Sequence, residues 1–268
     1  MLLDTFEPSS EESIELFITL LETKNNFSFV RFSDGEIEIL RNRYLEINNG
    51  KTTYKGREFK NSFPVYDAKR FDPVEHQSIR KELLDSAIYR NPCFYKGIPT
   101  LHNDALVDRE FMLRLNGGFE SNMTFSDLFL NSNYRKYREC LVPVFAEFEN
   151  IYVIANYRAE LSGSLTGATH LPVPDNFFSQ FDQVVTSVSN QLKDIEPNSL
   201  ILSSASSLSN IIAHRLHLCR QDVTFLDVGT SINDLLSLDV NTRAYHEQDV
   251  SFFKRFTYKS RKEYQIKW

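Results

Sequence analysis

Nine glycines and nine prolines in 268 residues are too few for a low-complexity or collagen-like chain, and they gather into no linker. The glycines never take the GxGxxG spacing of a dinucleotide-binding turn, and neither a GxxxxGK[ST] loop nor a GxSxG elbow occurs. Those absences argue against ordinary dehydrogenases, P-loop NTPases and α/β-hydrolases. The three cysteines, Cys93, Cys140 and Cys219, are far apart and form no CxxC or zinc spacing. Buried free thiols in a reducing compartment are the expectation. No apolar run approaches the ~18 residues needed to span a bilayer. The stretch Met1 to Ser10 is acidic and lacks the basic-then-apolar pattern of a signal peptide. A soluble, cytoplasmic protein is expected. The formal net charge of -6 lacks the basic surplus that neutralises phosphates along a nucleic acid, so no nucleic-acid partner is expected.

Basic residues gather only at residues 250–268, where Lys254, Arg255, Lys259, Arg261, Lys262 and Lys267 lie among Phe252, Phe253, Phe256, Tyr258, Tyr264 and Trp268. A solvated terminal element with snorkelling side chains explains this pattern. So does a patch for peripheral contact with an anionic membrane surface or a pyrophosphate-linked acceptor. The composition of the whole chain is that of a folded domain, with 41% hydrophobic residues and 22 phenylalanines, enough for a core rich in aromatic bulk.

The periodicity predicts a helix over 11–24, where Ile14, Phe17, Ile18 and Leu21 share a face. The alternating segment 27–32 predicts a strand, followed by a helix carrying Ile37, Leu40 and Tyr44 on one face. Residues 46–75 read as a hairpin-like excursion, 75–89 as a helix, and 93–95 as a short strand ended by Gly97-Ile98-Pro99. A mostly helical insertion is expected at about 104–150, with a break at Asn116-Gly117-Gly118. Strands at 151–155, 200–202 and 224–228 then alternate with helices at 176–193 and 207–217, and 171–174 is extended. This alternation implies βαβ units. The expected fold is a single Rossmann-like α/β domain with a parallel-rich sheet flanked by helices.

Three segments carry candidate chemistry. The first is Arg31-Phe32-Ser33-Asp34-Gly35-Glu36, between a strand end and a helix start, where ligands of open α/β sheets bind. Asp34 and Glu36 can approach one hard divalent cation, Gly35 permits a tight turn, and Arg31 adds a positive charge. The same residues match a capping box, in which Ser33 caps the helix and Glu36 reaches back to the amide of Ser33. By spacing alone, capping is the stronger reading. The second segment is Ser203-Ser204-Ala205-Ser206-Ser207, whose small residues and helix-start amides suit a phosphate, or equally a polar loop with a serine cap. The third is Asp227-Val228-Gly229-Thr230-Ser231, where Asp227 would meet a sugar hydroxyl and Gly229 would keep the crevice open; an ordinary turn reads the same way. His214 and His217, three apart on a helix, lack an acidic or cysteine partner for metal binding.

Taken together, Phe29-Val30-Arg31-Phe32-Ser33-Asp34-Gly35-Glu36, Gly97-Ile98-Pro99, Asn131-Ser132-Asn133-Tyr134, Leu200 to Leu216 and Phe225-Leu226-Asp227-Val228-Gly229 resemble, in order, the landmarks of bacterial GT-D-type glycosyltransferases. They span roughly residues 27–236. The resemblance implies a Rossmann-like fold in which Asp34 and Glu36 hold Mn2+ or Mg2+ beside a nucleotide-diphosphate sugar. It also implies that the serine-rich turn and the Asp227–Gly229 turn line the donor cleft. Ser33 stands where the family usually has glycine, and Thr230 where some relatives have histidine, so no histidine role transfers.

The function expected from this is metal-dependent transfer of a hexose, from a UDP-linked donor in the first instance, to a surface-polysaccharide or glycoprotein glycan. Asp34 and Glu36 are the catalytic and metal-binding pair. Arg31, Ser33, Gly35, Ser204, Ser206, Ser207, Asp227, Gly229 and Thr230 are the expected substrate contacts. Glu36, Asp104 and Asp234 are the candidates for the acceptor's base. Expected partners are the donor, an acceptor that includes lipid-linked forms, and a second copy of the chain. The alternative is a non-catalytic nucleotide-sugar or glycan-binding partner in a glycan-assembly complex; a different Rossmann-like enzyme, such as a methyltransferase, ranks last for want of a Gly-rich first loop.

Overall fold

Alternation along the first strand sends Phe27 and Phe29 to one side of a sheet and Val30 and Phe32 to the other, and each side is a separate hydrophobic core. The computed structural model describes residues 9–48, 51–60, 68–100, 105–130 and 133–238. The strand, β1 (Ser28–Arg31), is preceded by α1 (Ser10–Glu22). A capping box starts that helix: Ser9 N–H donates to Glu12 Oε2 at 2.7 Å, and Glu12 N–H donates to Ser9 Oγ at 3.1 Å. Helix α2 (Asp34–Leu40) follows at once. Tyr44, expected on its face, lies beyond it, because Asn42 takes a left-handed φ of 60° and ends the helix.

The excursion forms a small antiparallel sheet of β2 (Leu45–Asn48), β3 (Lys51–Tyr54), β4 (Arg57–Phe59) and β5 (Lys69–Phe71), in the order β4-β3-β2-β5. The chain returns through α3 (Gln77–Ile88) to β6 (Phe94–Ile98) and α4 (Leu106–Leu115). The region expected as a helical insertion also supplies β7 (Met123–Phe125), an edge strand of the main sheet. After it come α5 (Tyr134–Lys136), a π turn (Tyr137–Leu141) and α6 (Val142–Phe145). The last third alternates as expected: β8 (Ile151–Asn156), β9 (Thr169–Val173), α7 (Phe181–Lys193), β10 (Leu200–Ser203), α8 (Ser207–Cys219), β11 (Thr224–Asp227) and a 3-10 helix (Gly229–Leu236).

The fold is α/β, built on a seven-stranded sheet of order β7-β6-β1-β11-β10-β8-β9 in which every neighbouring pair is parallel. Strands of such a sheet are buried on both faces and read as near-continuous apolar runs, which is the composition of β8, β10 and β11. Helices α3, α7 and α8 pack together on one face, while α1, the π turn and α6 pack on the other. The aromatic core is concrete there. Phe17 meets Phe29 at 4.9 Å and Tyr95 at 5.1 Å between ring centroids, and Phe129 meets Tyr137 at 5.2 Å. Contrary to expectation, Cys93, Cys140 and Cys219 are all exposed. They sit at a turn before β6, on the π turn and at the last position of α8, where helix and loop surfaces face solvent. Among the described residues no helix is long and apolar enough to cross a membrane. Asp104, Asn131, Ser132 and the 250–268 segment lie outside the described residues.

Candidate functional site

Strands β1, β11 and β10 are adjacent, so the three candidate segments, which follow their carboxyl ends, meet along one edge of the sheet. Sequence distance hides this, since Arg31 and Asp227 are 196 positions apart.

Asp227 is buried at the centre. Its Oδ1 accepts from Arg31 Nη2 at 3.2 Å and from Gly229 N–H at 3.1 Å, and its Oδ2 accepts from Arg31 N–H at 3.3 Å. Burial raises its pKa above the usual carboxylate value, against the pull of Arg31. The Arg31 carbonyl accepts from Asn210 Nδ2 at 2.8 Å, and its guanidinium also donates to the Ser126 carbonyl at 3.4 Å. This places Arg31 as the partner of Asp227, not as a loose charge over the crevice. Gly229 has a structural reason: its φ is +48°, and a Cβ there would lie 1.6 Å from Arg31 Nη2. It makes room for the ion pair. Thr230 follows, half-buried, in the first turn of the 3-10 helix.

Glu36, on the first turn of α2, is 7% exposed. Its Oε2 accepts from Ser33 N–H at 3.2 Å, the return arm of the capping box. Its Oε1 accepts from Ser206 Oγ, also at 3.2 Å. The carboxylate therefore caps the helix with one oxygen and meets the serine-rich turn with the other. Burial pushes its pKa up; Lys69 opposes the shift, and Asp227 and Asp34 reinforce it. Asp34 is exposed, with Oδ1 accepting from Gly35 N–H at 3.1 Å and Ser33 Oγ at 3.3 Å. Gly35 does not make the tight turn expected of it: it lies inside the first turn of α2, where a Cβ would find Leu45 Cδ2 at an ordinary 3.9 Å.

In the serine-rich turn, Ser204 and Ser206 are half-buried and line a small, open cavity of ≈ 50 Å³ at the ends of β8, β9 and β10. Ser207 is sealed at the start of α8, and its hydroxyl has no hydrogen-bond partner among the described residues. Asp234, further along the 3-10 helix, is engaged in an ion pair with Arg138 at 2.7 Å.

Several cavity residues escaped the sequence analysis. Lys69, on β5, donates to Ser206 Oγ at 3.2 Å. Asp175 accepts from Asn156 Nδ2 at 2.8 Å and takes a two-pronged pairing from Arg158. An acidic residue two positions past a parallel strand was visible as a site signal in Val173-Pro174-Asp175; nothing local marks Lys69.

Asp34 and Glu36 suit a hard cation of the magnesium type, which uses one or two carboxylates and completes its shell with phosphate oxygens and water. A buried Glu36 destabilised by two neighbouring carboxylates would gain from such a charge. Among the described residues no group of three or more His, Cys, Asp or Glu side chains converges to hold a metal ion.

A parallel α/β sheet with acidic and hydroxyl side chains gathered at its carboxyl edge defines the class: a Rossmann-like fold with a polar crevice where such sheets commonly take ligands. Solved structures place the fold more narrowly. It resembles a selenomethionine-substituted domain of unknown function 1792 (DUF1792), with TM-score 0.55 and 12% identity, over 90% of this chain and 88% of that one. It also resembles a DUF1792 glycosyltransferase from Streptococcus sanguinis, with TM-score 0.53 and 16% identity, over 89% and 92%. A third, a DUF1792 domain described as having a distinct glycosyltransferase fold, has TM-score 0.53 and 12% identity, over 90% and 88%. No family model and no curated protein matches the chain.

Proposed function

We propose that this protein is a glycosyltransferase that moves a hexose from a UDP-linked donor to a glycan acceptor of a surface polysaccharide or glycoprotein. The observation that carries the reading is the meeting of Asp34, Glu36, Ser204, Ser206 and Asp227 along one sheet edge, on a fold shared with DUF1792 glycosyltransferases. Asp34 and Glu36 would hold Mn2+ or Mg2+, which when bound offsets the charge developing on the departing diphosphate. Ser206 orders the cleft face of Glu36, and Ser204 presents a hydroxyl from the adjoining turn. The Arg31–Asp227 pair acts at one remove: it fixes the ends of β1 and β11, so the Ser33–Glu36 turn and the Gly229–Thr230 turn keep their spacing. In the same reading the acceptor includes lipid-linked glycans, reached through surface contact of the 250–268 segment.

Release of the nucleotide from a panel of UDP-, GDP- and CMP-sugars, with and without Mn2+, tests this. UDP release with one donor is expected, abolished in Asp34→Asn and Glu36→Gln, with folding changed by no more than about 1 kcal/mol. If capping is the only work of these residues, turnover survives both changes. UDP binding with no turnover on any donor would instead make the protein a non-catalytic nucleotide-sugar partner.

A further inference from the structure

We propose that Lys69 is a phosphate-binding residue, making the Ser204–Ser206 wall of the cavity the subsite for the diphosphate of a nucleoside diphosphate. This deepens the donor reading above and rests on it for the nucleoside.

Charge decides the assignment. The cations that the sequence places near this edge are already committed: Arg31 pairs with Asp227 at 3.2 Å, and Arg158 pairs with Asp175. Of the residues lining the cavity, Lys69 alone is cationic. It makes no ion pair among the described residues, and its ammonium donates to the hydroxyl of Ser206. A lysine beside an open cavity, bonded to a neutral oxygen, retains donors for an anion.

Ser206 adds an independent mark. Its φ of 52° and ψ of -144° are a conformation that residues with a side chain rarely adopt. Its hydroxyl is 3.2 Å from both Lys69 Nζ and Glu36 Oε1, so the strained residue stands between the ammonium and the carboxylate. Strain of this kind persists only where the surroundings over-determine it, and it collects at ligand sites.

The placement of Lys69 is built rather than incidental. It pairs across from Ile47 in the small sheet. The next residue, Arg70, donates its amide to Asn176 Oδ1 at 3.0 Å, and Phe71 packs edge-on against Phe178 at 5.7 Å. These contacts fasten β5 to the loop after β9, beside the cavity. The small sheet thus carries a charge to the main sheet's ligand edge.

Calorimetry at fixed ionic strength with three probes, UDP, uridine and inorganic pyrophosphate, tests the assignment. Lys69→Met is expected to weaken UDP and pyrophosphate roughly tenfold or more while leaving uridine unchanged. Lys69→Arg, which keeps the charge, should retain both. Should Lys69→Met fold poorly, Ser206→Gly serves, because glycine is at home at this φ; it should weaken the same two probes and spare uridine. Equal UDP affinity in wild type and Lys69→Met overturns the inference and leaves the transfer reading standing. Lys69-dependent pyrophosphate binding without turnover of any donor supports the subsite and removes the transfer reading.

Discussion

Glu36 cannot be described by one role. Capping and ligand-facing readings compete for it in the sequence, and in the structure one oxygen caps the helix while the other accepts from the Ser206 hydroxyl. Gly229 is simpler and gives a sharp test. Gly229→Ala drives a methyl into the Arg31 guanidinium and leaves Asp227 buried without its partner. A loss of about 3 kcal/mol is expected in urea unfolding, and a wild-type midpoint would show that Arg31 swings aside freely. At the opposite end of β1, His217 is buried against Tyr89 and Phe94, with Nδ1 3.0 Å from Ser28 Oγ. Burial pushes its pKa down to about 4 from 6.5. The folded state therefore binds fewer protons than the unfolded chain in that interval, and stability is lost as pH falls through it, by up to roughly 3 kcal/mol. Unfolding measured from pH 7 to pH 4 should show that slope, and His217→Gln should flatten it.

At the scale of elements, helices were legible where an apolar stripe keeps helical spacing, as in α1, and strands where buried runs are bounded by turns, as in β8 and β10. Strand β7 was not legible, because three residues are too few to display a period. Its signal lies in its neighbour. A Cβ on Gly97 would stand 2.9 Å from the Phe125 carbonyl and 3.0 Å from Ser126 Cα, so β6 approaches β7 as closely as only glycine allows. Gly97→Ala should cost about 1–3 kcal/mol, with faster amide exchange concentrated in β7. Uniform exchange across the sheet would mean that the strands separate without local cost.

For the whole molecule, two cores share one sheet, with β1, β8, β10 and β11 supplying both through alternate residues. Loss of either core exposes the other, so unfolding by far-UV and near-UV signals should coincide; separate transitions would mean that the faces are independent. A nucleotide that binds the sheet edge stabilises the entire unit. UDP at about 100 times its dissociation constant should add about 2.7 kcal/mol, and no rise in melting temperature would count against the donor cleft.

The sequence alone determined the class of fold, most element boundaries and three suspect turns, because periodicity, caps and turn residues act over a few neighbouring positions. It did not determine which turns meet, nor that Arg31 faces Asp227, nor that Lys69 reaches Ser206. Those partners lie 196 and 137 positions apart. Strand order joins them, and strand order is chosen by burial of both sheet faces together, a property no single segment carries.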